Sequence, residues 1–224
     1  PGENRFIYYL FDYKDKNELI EFGQAIADTL ESLFLMERVG GGIGILEIDQ
    51  NNEMSFDLLL RHLLIASERA MSTMGKDFSI CFYDEELQAL VNRERDIIEA
   101  LNNIASGKKT NDTLFLQYQP IMDLKTGSIC GFEALARLRT EKLGLVSPVE
   151  FIPLAEKTKL ILPIGEKVIV TAFRFLNKLK EHGYDDIDVS INISIIQLLK
   201  PDFTSGLLEL INEMQVNPKN IGIE

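Results

Sequence analysis

In the stretch DVSINIS at residues 188–194, polar and aliphatic side chains alternate, which is typical of a β-strand. Successive side chains of a β-strand point to opposite faces, so Ser190, Asn192 and Ser194 share one face and the aliphatic residues share the other. A strand buried on both faces is normally aliphatic throughout. The pattern therefore fits either an α/β barrel strand with polar groups near its carboxyl end or a partly solvated edge strand.

Two carboxylates lie in apolar runs elsewhere in the chain. Glu133 lies within GFEALAR at residues 131–137, and Glu224 ends the run IGIE at residues 221–224. Charged side chains are rarely buried without a partner or a metal ion. With the amide oxygen of Asn192 they make an all-oxygen set, which suits Mg²⁺ or Mn²⁺ rather than Zn²⁺. The alternative is that each carboxylate is an ordinary surface acid.

The residues around these runs alternate between strand and helix patterns. Residues 115–122 and 128–138 are strand-like and are joined by the turn Lys125-Thr126-Gly127, which predicts a hairpin. Strands then alternate with helices, which favours a parallel sheet or barrel. The expected elements are helices at 148–156, 165–182 and 203–214 and strands at 187–194 and 221–224.

The first half of the chain predicts a separate α/β or α+β unit. The polar stretch 106–112 marks the boundary, so we divide the chain into residues 1–85, a connecting helix and linker at 86–112, and residues 113–224. Apolar spacing predicts the elements of this half. They are strands at 5–13, 42–48 and 78–83 and helices at 17–33, 56–72 and 85–104.

Composition narrows the classes of partner. The 224 residues carry a formal net charge of −12, so the surface repels nucleic-acid backbones and we expect no DNA or RNA polymer as a partner. A small anion can still bind where a local basic group or cation attracts it. The two cysteines make no disulfide framework and favour a cytoplasmic location. No apolar run approaches the roughly 20 residues that cross a bilayer.

The second half resembles the EAL domain family of cyclic di-GMP signalling. The motif YQPI at 118–121, the turn at 125–127 and GFEALAR at 131–137 match the opening of that domain. Several motifs in one order are more specific than any single triplet. Further matches follow in family order: Ser147-Pro148, Phe151-Ile152, Ala155-Glu156, Gly165, Asn192-Ile193-Ser194 and Glu224.

The resemblance implies a TIM-type (β/α)₈ barrel that hydrolyses cyclic di-GMP to linear pGpG with two divalent metal ions, Mg²⁺ or Mn²⁺. A homodimer through the barrel is a further implication. Such a barrel needs roughly 250 residues, so we expect only its first half here, with part of the metal site outside this chain. The implied metal ligands are Glu133, which is also the catalytic residue, Asn192 and Glu224. The implied substrate-binding residues are Gln119, Leu135 and Arg137.

The first half resembles, more loosely, the C-terminal part of a GGDEF domain, an α+β cyclase-like fold related to the ferredoxin-like folds. Residues 2–6 occupy its signature loop, and 40–48, 59–71 and 78–84 match its later elements. Arg5 stands where the signature has a carboxylate, and a cation in place of a metal ligand argues against cyclase activity. We therefore expect a degenerate domain, at which the reversed charge disfavours the candidate ligand GTP.

Three functions are compatible with these resemblances. The first is a metal-dependent cyclic di-GMP phosphodiesterase. The second is a non-catalytic receptor or signalling scaffold that binds cyclic di-GMP without turnover. The third adds GTP binding at the degenerate domain as an allosteric input to hydrolysis. Turnover separates the first function from the second, and a rate that responds to GTP identifies the third.

Overall fold

The computed structural model describes residues 5–33, 41–48, 53–73 and 78–224. The chain divides into two compact units, Pro1–Val91 and Asn92–Glu224, and the division falls inside the helix Glu85–Ala105. Residues 2–4 of the signature-like loop and Gly40 lie outside the described residues. The assignment of the first unit to a degenerate GGDEF domain stays a prediction.

The first unit contains long helices beside a two-stranded sheet. Its elements are α1 (Lys16–Leu33), β1 (Gly42–Ile45), α2 (Phe56–Thr73), β2 (Ser79–Phe82) and the start of α3 (Glu85–Ala105). The two strands are parallel, with Ile43 opposite Ile80. Helix α2 packs closely on β1, since a Cβ atom at Gly44 would lie 2.5 Å from the Leu63 carbonyl oxygen and 2.6 Å from the Ser67 nitrogen.

Residues 5–13 do not form the strand that their aromatic and aliphatic content predicts, so that prediction was wrong. Phe6, Ile7 and Tyr8 are all exposed, and neither alternate face is buried. Within the described residues, β1 and β2 pair only with each other. A strand is stabilised by its hydrogen-bonded neighbours and cross-strand pairs, which a local pattern does not specify.

The second unit arranges strands and helices around one mixed sheet. After α3 come β3 (Thr113–Met122), β4 (Ile129–Thr140), β5 (Gly144–Val146), α4 (Pro148–Lys157), α5 (Ile161–Glu181) and β6 (Asp188–Ile191). Next are α6 (Ile195–Leu198), α7 (Phe203–Glu213), a 3₁₀ helix (Pro218–Asn220) and β7 (Ile221–Ile223). The strand order is β3-β4-β6-β7, and β5 pairs with β4.

The sheet begins with the predicted hairpin and continues with parallel strands. β3 and β4 are antiparallel, and Gly127 in their turn has a left-handed conformation with φ +69°. β4, β6 and β7 are parallel, and the carboxyl ends of β6 and β7 lie beside Ala134 in the middle of β4. The predicted mixed α/β fold is confirmed. The described strands of this unit form an open five-stranded sheet rather than a closed eight-stranded barrel.

Helix α5 covers one face of this sheet and forms the larger core. Val189 and Ile191 of β6 and Ala134 of β4 are buried with Ala172 and Phe173 of α5. Full burial of a large apolar side chain contributes about 1.5–3 kcal/mol. A second core joins α3, α4 and the end of β4. Because the aliphatic side chains of β6 face α5, its polar side chains lie on the opposite face of the sheet.

Several element bounds differ from the expected ones. Helix α5 begins at Ile161 rather than at residue 165, and β6 ends at Ile191 rather than at residue 194. The sequence pattern predicts neither β5 nor α6, each of which has only three or four residues. Among the helices that the structure describes, none is long and apolar enough to cross a membrane.

His62 on α2 makes the first unit sensitive to pH. Its ring stacks on Tyr83 with centroids 3.9 Å apart, and its Nδ1 atom is buried without a hydrogen-bond partner among the described residues. Burial lowers the pKa of His62, and the positive charge of Arg61 lowers it further. The folded unit therefore binds a proton at His62 less readily than the unfolded chain does.

We expect the free energy of unfolding of this unit to fall as the pH drops below about 6.5, because the unfolded histidine then takes up the proton first. The loss levels off below the lowered pKa of the folded state. Urea unfolding followed through NMR signals of α2 at several pH values measures this. His62→Gln should flatten the dependence, whereas His182→Gln in the second unit should not. Equal pH dependence in wild type and His62→Gln would contradict the prediction.

Candidate functional site

The register of the sheet places a row of polar side chains on the face opposite α5. Glu133 of β4 lies directly opposite Gln119 of β3 and Ser190 of β6, and Ser190 lies opposite Gly222 of β7. Cross-strand partners point to the same side of a sheet. We use the term polar face for the side chains on this side: Gln117, Gln119, Glu133, Arg137, Ser190, Asn192 and Glu224.

Glu133 and Asn192 are in direct contact on the polar face. The Asn192 Nδ2 atom donates a hydrogen bond to Glu133 Oε1 over 2.9 Å. Asn192 lies one residue beyond the end of β6, and its side chain is exposed. An amide has one acceptor oxygen beside its two N–H donors, so the Asn192 oxygen is a further ligand atom beside the Glu133 carboxylate.

Glu224 is held next to this pair by its backbone. Its N–H donates to the Ile191 carbonyl over 3.1 Å, and the Ile193 N–H donates to the Glu224 carbonyl over 2.9 Å. These two bonds flank Asn192, so the β6–β7 ladder continues past both strands. The structure therefore brings Asn192 and Glu224, which follow β6 and β7, close to Glu133, which lies within the neighbouring parallel strand β4.

The other residues implied by the resemblance lie further along the same face. Arg137 donates from Nε to Gln117 Oε1 over 2.8 Å and from Nη1 to the Ala136 carbonyl over 3.0 Å. Leu135 lies opposite Gln117 in the hairpin and follows Glu133 by two residues. No sequence motif indicates a role for Gln117. Its contact with Arg137 crosses the hairpin diagonally and depends on the register of the two strands.

The donor set fits a hard divalent cation by its chemistry. Two carboxylates and an amide oxygen are oxygen ligands of the kind that Mg²⁺ and Mn²⁺ take. In the described ranges no three His, Cys, Asp or Glu side chains cluster closely enough to hold a metal ion without other ligand types. Asn192 is therefore essential to any three-residue site on the polar face.

Ser194 lies off the polar face, contrary to the alternation that places it there with Ser190 and Asn192. It is the N-cap of α6, and its hydroxyl donates to Glu156 Oε1 over 2.5 Å. The Ile196 N–H donates to the Ser194 hydroxyl, and the Ser194 N–H donates to Gln197 Oε1. The spacing of Ser194 and Gln197 is a capping-box signal that could have predicted the helix start.

Only glycine fits at position 222 without a shift of its neighbours, because Ser190 occupies the space beside it. A Cβ atom at Gly222 would lie 2.6 Å from Ser190 Oγ and 3.2 Å from Ser190 Cα. Gly222 is the middle residue of β7 and precedes Glu224 by two positions. A small residue at this position lets β7 pair closely with β6 and thereby aligns Glu224 with Asn192.

A mixed α/β unit with a carboxylate within one parallel strand, and an amide and a second carboxylate just after the next two, defines the class of site. Comparison with known families then identifies the chain. A model of the EAL domain matches residues 101–224, which is more than half of the chain. The chain belongs to the EAL domain family.

Similar proteins include two much longer bacterial relatives. The bifunctional diguanylate cyclase/cyclic di-GMP phosphodiesterase MucR of Pseudomonas aeruginosa is 28% identical over 167 residues, or 73% of this chain and 24% of MucR. The biofilm architecture maintenance protein MbaA of Vibrio cholerae is 32% identical over 168 residues, or 74% of this chain and 21% of MbaA. The chain thus spans about a quarter or less of the curated relatives it matches.

A solved structure supports the same fold. The PaMucR phosphodiesterase in complex with c-di-GMP aligns with a TM-score of 0.52 and 28% sequence identity, covering 57% of this chain and 50% of that one. The aligned part of this chain therefore covers half of that solved chain.

Gly222→Ala should lower the free energy of unfolding of the second unit by about 1–3 kcal/mol, because the added methyl group overpacks against Ser190. Adding Ser190→Ala removes the hydroxyl and should recover most of the loss. Gly206→Ala on α7, where a Cβ atom meets nothing within 4 Å, is the matched control and should be neutral or stabilising. Urea denaturation measures all three, and equal effects at Gly222 and Gly206 would contradict this packing.

Proposed function

We propose that the chain carries part of a cyclic di-GMP phosphodiesterase that converts cyclic di-GMP to linear pGpG. The observation that carries the proposal is the contact between Glu133 and Asn192, with Glu224 beside them, on one face of an EAL family sheet. Family membership and the phosphodiesterase names of MucR and its solved domain support the reaction class.

Glu133, Asn192 and Glu224 would hold a divalent cation, Mg²⁺ or Mn²⁺, through their side-chain oxygens. A bound cation supplies charge neutralisation at a phosphodiester oxygen and lowers the pKa of a water molecule. These three residues offer too few ligands for two cations, so the second ion of the proposed site takes ligands from outside this set.

The chain's own residues bind and orient the substrate in this proposal. The Arg137 guanidinium binds a phosphate of cyclic di-GMP, because Arg forms charge-assisted hydrogen bonds to phosphate oxygens. Its Nε and Nη1 atoms already donate to Gln117 and Ala136, which orients the guanidinium and leaves Nη2 for the ligand. Gln119 and Leu135 line the base-contacting side of the same face. Local positive charge thus allows a protein of net charge −12 to bind an anion.

The first unit is proposed to be the degenerate GGDEF domain of a tandem protein. The alignment with MucR is longer than the segment that the EAL model matches, so it includes residues before 101, which supports a shared upstream domain. Cyclase inactivity, GTP binding and a homodimer through the barrel stay predictions from the resemblance.

Glu133→Gln should reduce metal-dependent hydrolysis of cyclic di-GMP by at least about a hundredfold. Loss of a residue that only supports a metal ligand lowers activity by up to about that factor, and loss of the ligand itself should lower it further. Formation of pGpG by the whole protein that contains this chain, with Mg²⁺ or Mn²⁺ and followed by anion-exchange chromatography, measures the rate. Glu209→Gln on the exposed side of α7 makes the same chemical change and should keep the wild-type rate. Tight binding of cyclic di-GMP without turnover in the wild type would favour a non-catalytic receptor instead.

Arg137→Ala should lower kcat/KM by about tenfold to a hundredfold, the usual effect of losing a hydrogen bond between charged groups. Gln117→Ala should have a smaller effect in the same direction, because the guanidinium remains and only its orientation is lost. Steady-state kinetics with cyclic di-GMP measure both variants. If Arg137→Ala has wild-type kcat/KM, Arg137 does not contact the substrate phosphate.

A further inference from the structure

The loop between β6 and α6 carries Asn192 and is tied to two helices that contribute nothing to the polar face. We propose that Glu156 on α4 is a positioning residue that holds Asn192 in place by acting through Ser194. This inference rests on the proposed function only in its account of what Asn192 does. The hydrogen bonds that support it are independent of any ligand.

Glu156 and Ser194 form a direct contact between elements that are 38 residues apart in the chain. The Ser194 hydroxyl donates to Glu156 Oε1 and accepts from the Ile196 N–H over 3.3 Å. Both side chains are half-buried, which shields the contact from competing water. The hydroxyl therefore links α4 to the first turn of α6, and its proton is directed at Glu156.

Gln197 provides a second tie for the same loop. Its side chain is buried, and its Oε1 atom accepts from the Ser194 N–H over 3.2 Å. It packs directly over Gly165 of α5, where a Cβ atom would overlap the Gln197 amide group. Ser194 is thus restrained at its backbone by Gln197 and at its side chain by Glu156.

The hydrogen bonds of Ser194 restrict the backbone that follows Asn192. Ile193 is buried, and its N–H donates to the Glu224 carbonyl. On the amino side, Ile191 is fully buried in β6. Asn192 is therefore the one exposed residue between two anchored neighbours, and its side-chain amide meets Glu133 at 2.9 Å. Release of Ser194 would free the backbone that aims this amide.

Glu156 is therefore expected to matter as a hydrogen-bond acceptor rather than as a charge. Glu156→Ala removes the acceptor, whereas Glu156→Gln keeps a side-chain oxygen at the same position. Glu150→Ala is the matched control, because Glu150 lies on the same helix and pairs with Arg93 over 2.7 Å, away from the loop. Rescue by Gln distinguishes positioning from a general need for a carboxylate on α4.

The test is NMR spectroscopy of the full 224-residue chain without added metal. In Glu156→Ala, hydrogen exchange of the Ser194 amide should be about tenfold faster, the change expected when a hydrogen bond that restrains this residue is lost. The Asn192 side-chain amide signals should move toward their unfolded positions. Glu156→Gln and Glu150→Ala should match the wild type in both signals. Unchanged Asn192 signals in Glu156→Ala, or equal changes in Glu156→Gln, would overturn the inference.

A titration with Mn²⁺ alone, followed by EPR of the free ion, separates this inference from the proposed function. Weaker Mn²⁺ binding by about tenfold in Glu156→Ala supports positioning of a metal ligand. If the wild type binds no Mn²⁺ while Asn192 still loosens in Glu156→Ala, the positioning role stands and the proposed metal site fails. If the wild type and Glu156→Ala bind Mn²⁺ equally, the positioning role fails. Should Glu156→Ala not fold, Ser194→Ala removes the donor and is judged by the Asn192 signals.

Discussion

Burial of Val189 and Ile191 against helix α5 is the constraint on which the rest of the second unit depends. Both side chains are fully buried, and the period of a strand then commits Ser190 and Asn192 to the opposite face. A shift of the register by one residue would exchange the two faces and bury the polar groups in the apolar core. The hydrophobic core therefore fixes which surface can become a site.

Parallel pairing of the strands brings side-chain oxygen atoms of the polar face together. β6 and β7 end side by side next to the middle of β4, so the residues that follow these two strands become neighbours of Glu133 in space. The Asn192 side chain donates a hydrogen bond to Glu133, and the backbone of Glu224 is hydrogen-bonded to the residues on either side of Asn192. Sites at the carboxyl ends of parallel strands are the usual arrangement in α/β barrels. The chemistry of the proposed site thus follows from strand direction as much as from residue type.

The parts of this structure that follow local periodicity could be predicted from the sequence. The alternation in β6 predicts its two faces, and the turn containing Gly127 predicts the hairpin. The strand expected at 5–13 fails because pairing depends on residues distant in the chain. Alternation continues past Ile191 and so predicts that Ser194 belongs to the strand, but in the structure Ser194 is the N-cap of a helix.

The contacts that organise the site were harder to predict than its residues. Glu133, Asn192 and Glu224 stand out as polar groups in apolar runs, but their proximity depends on the order of three strands. The contact of Glu156 with Ser194 spans 38 residues, and that of Arg137 with Gln117 spans 20. No periodic pattern encodes either contact, because each joins side chains from separate elements. Motif order indicates the family, whereas the contacts between the motif residues are visible only in the structure.

We propose that the polar face holds a divalent cation between Glu133, Asn192 and Glu224. Anomalous X-ray scattering at the manganese edge, from crystals of the protein grown with Mn²⁺, tests it most directly. The account predicts an anomalous peak bounded by the side-chain oxygens of these three residues. A well-ordered polar face without a peak, or a peak that lies away from Asn192, would contradict it.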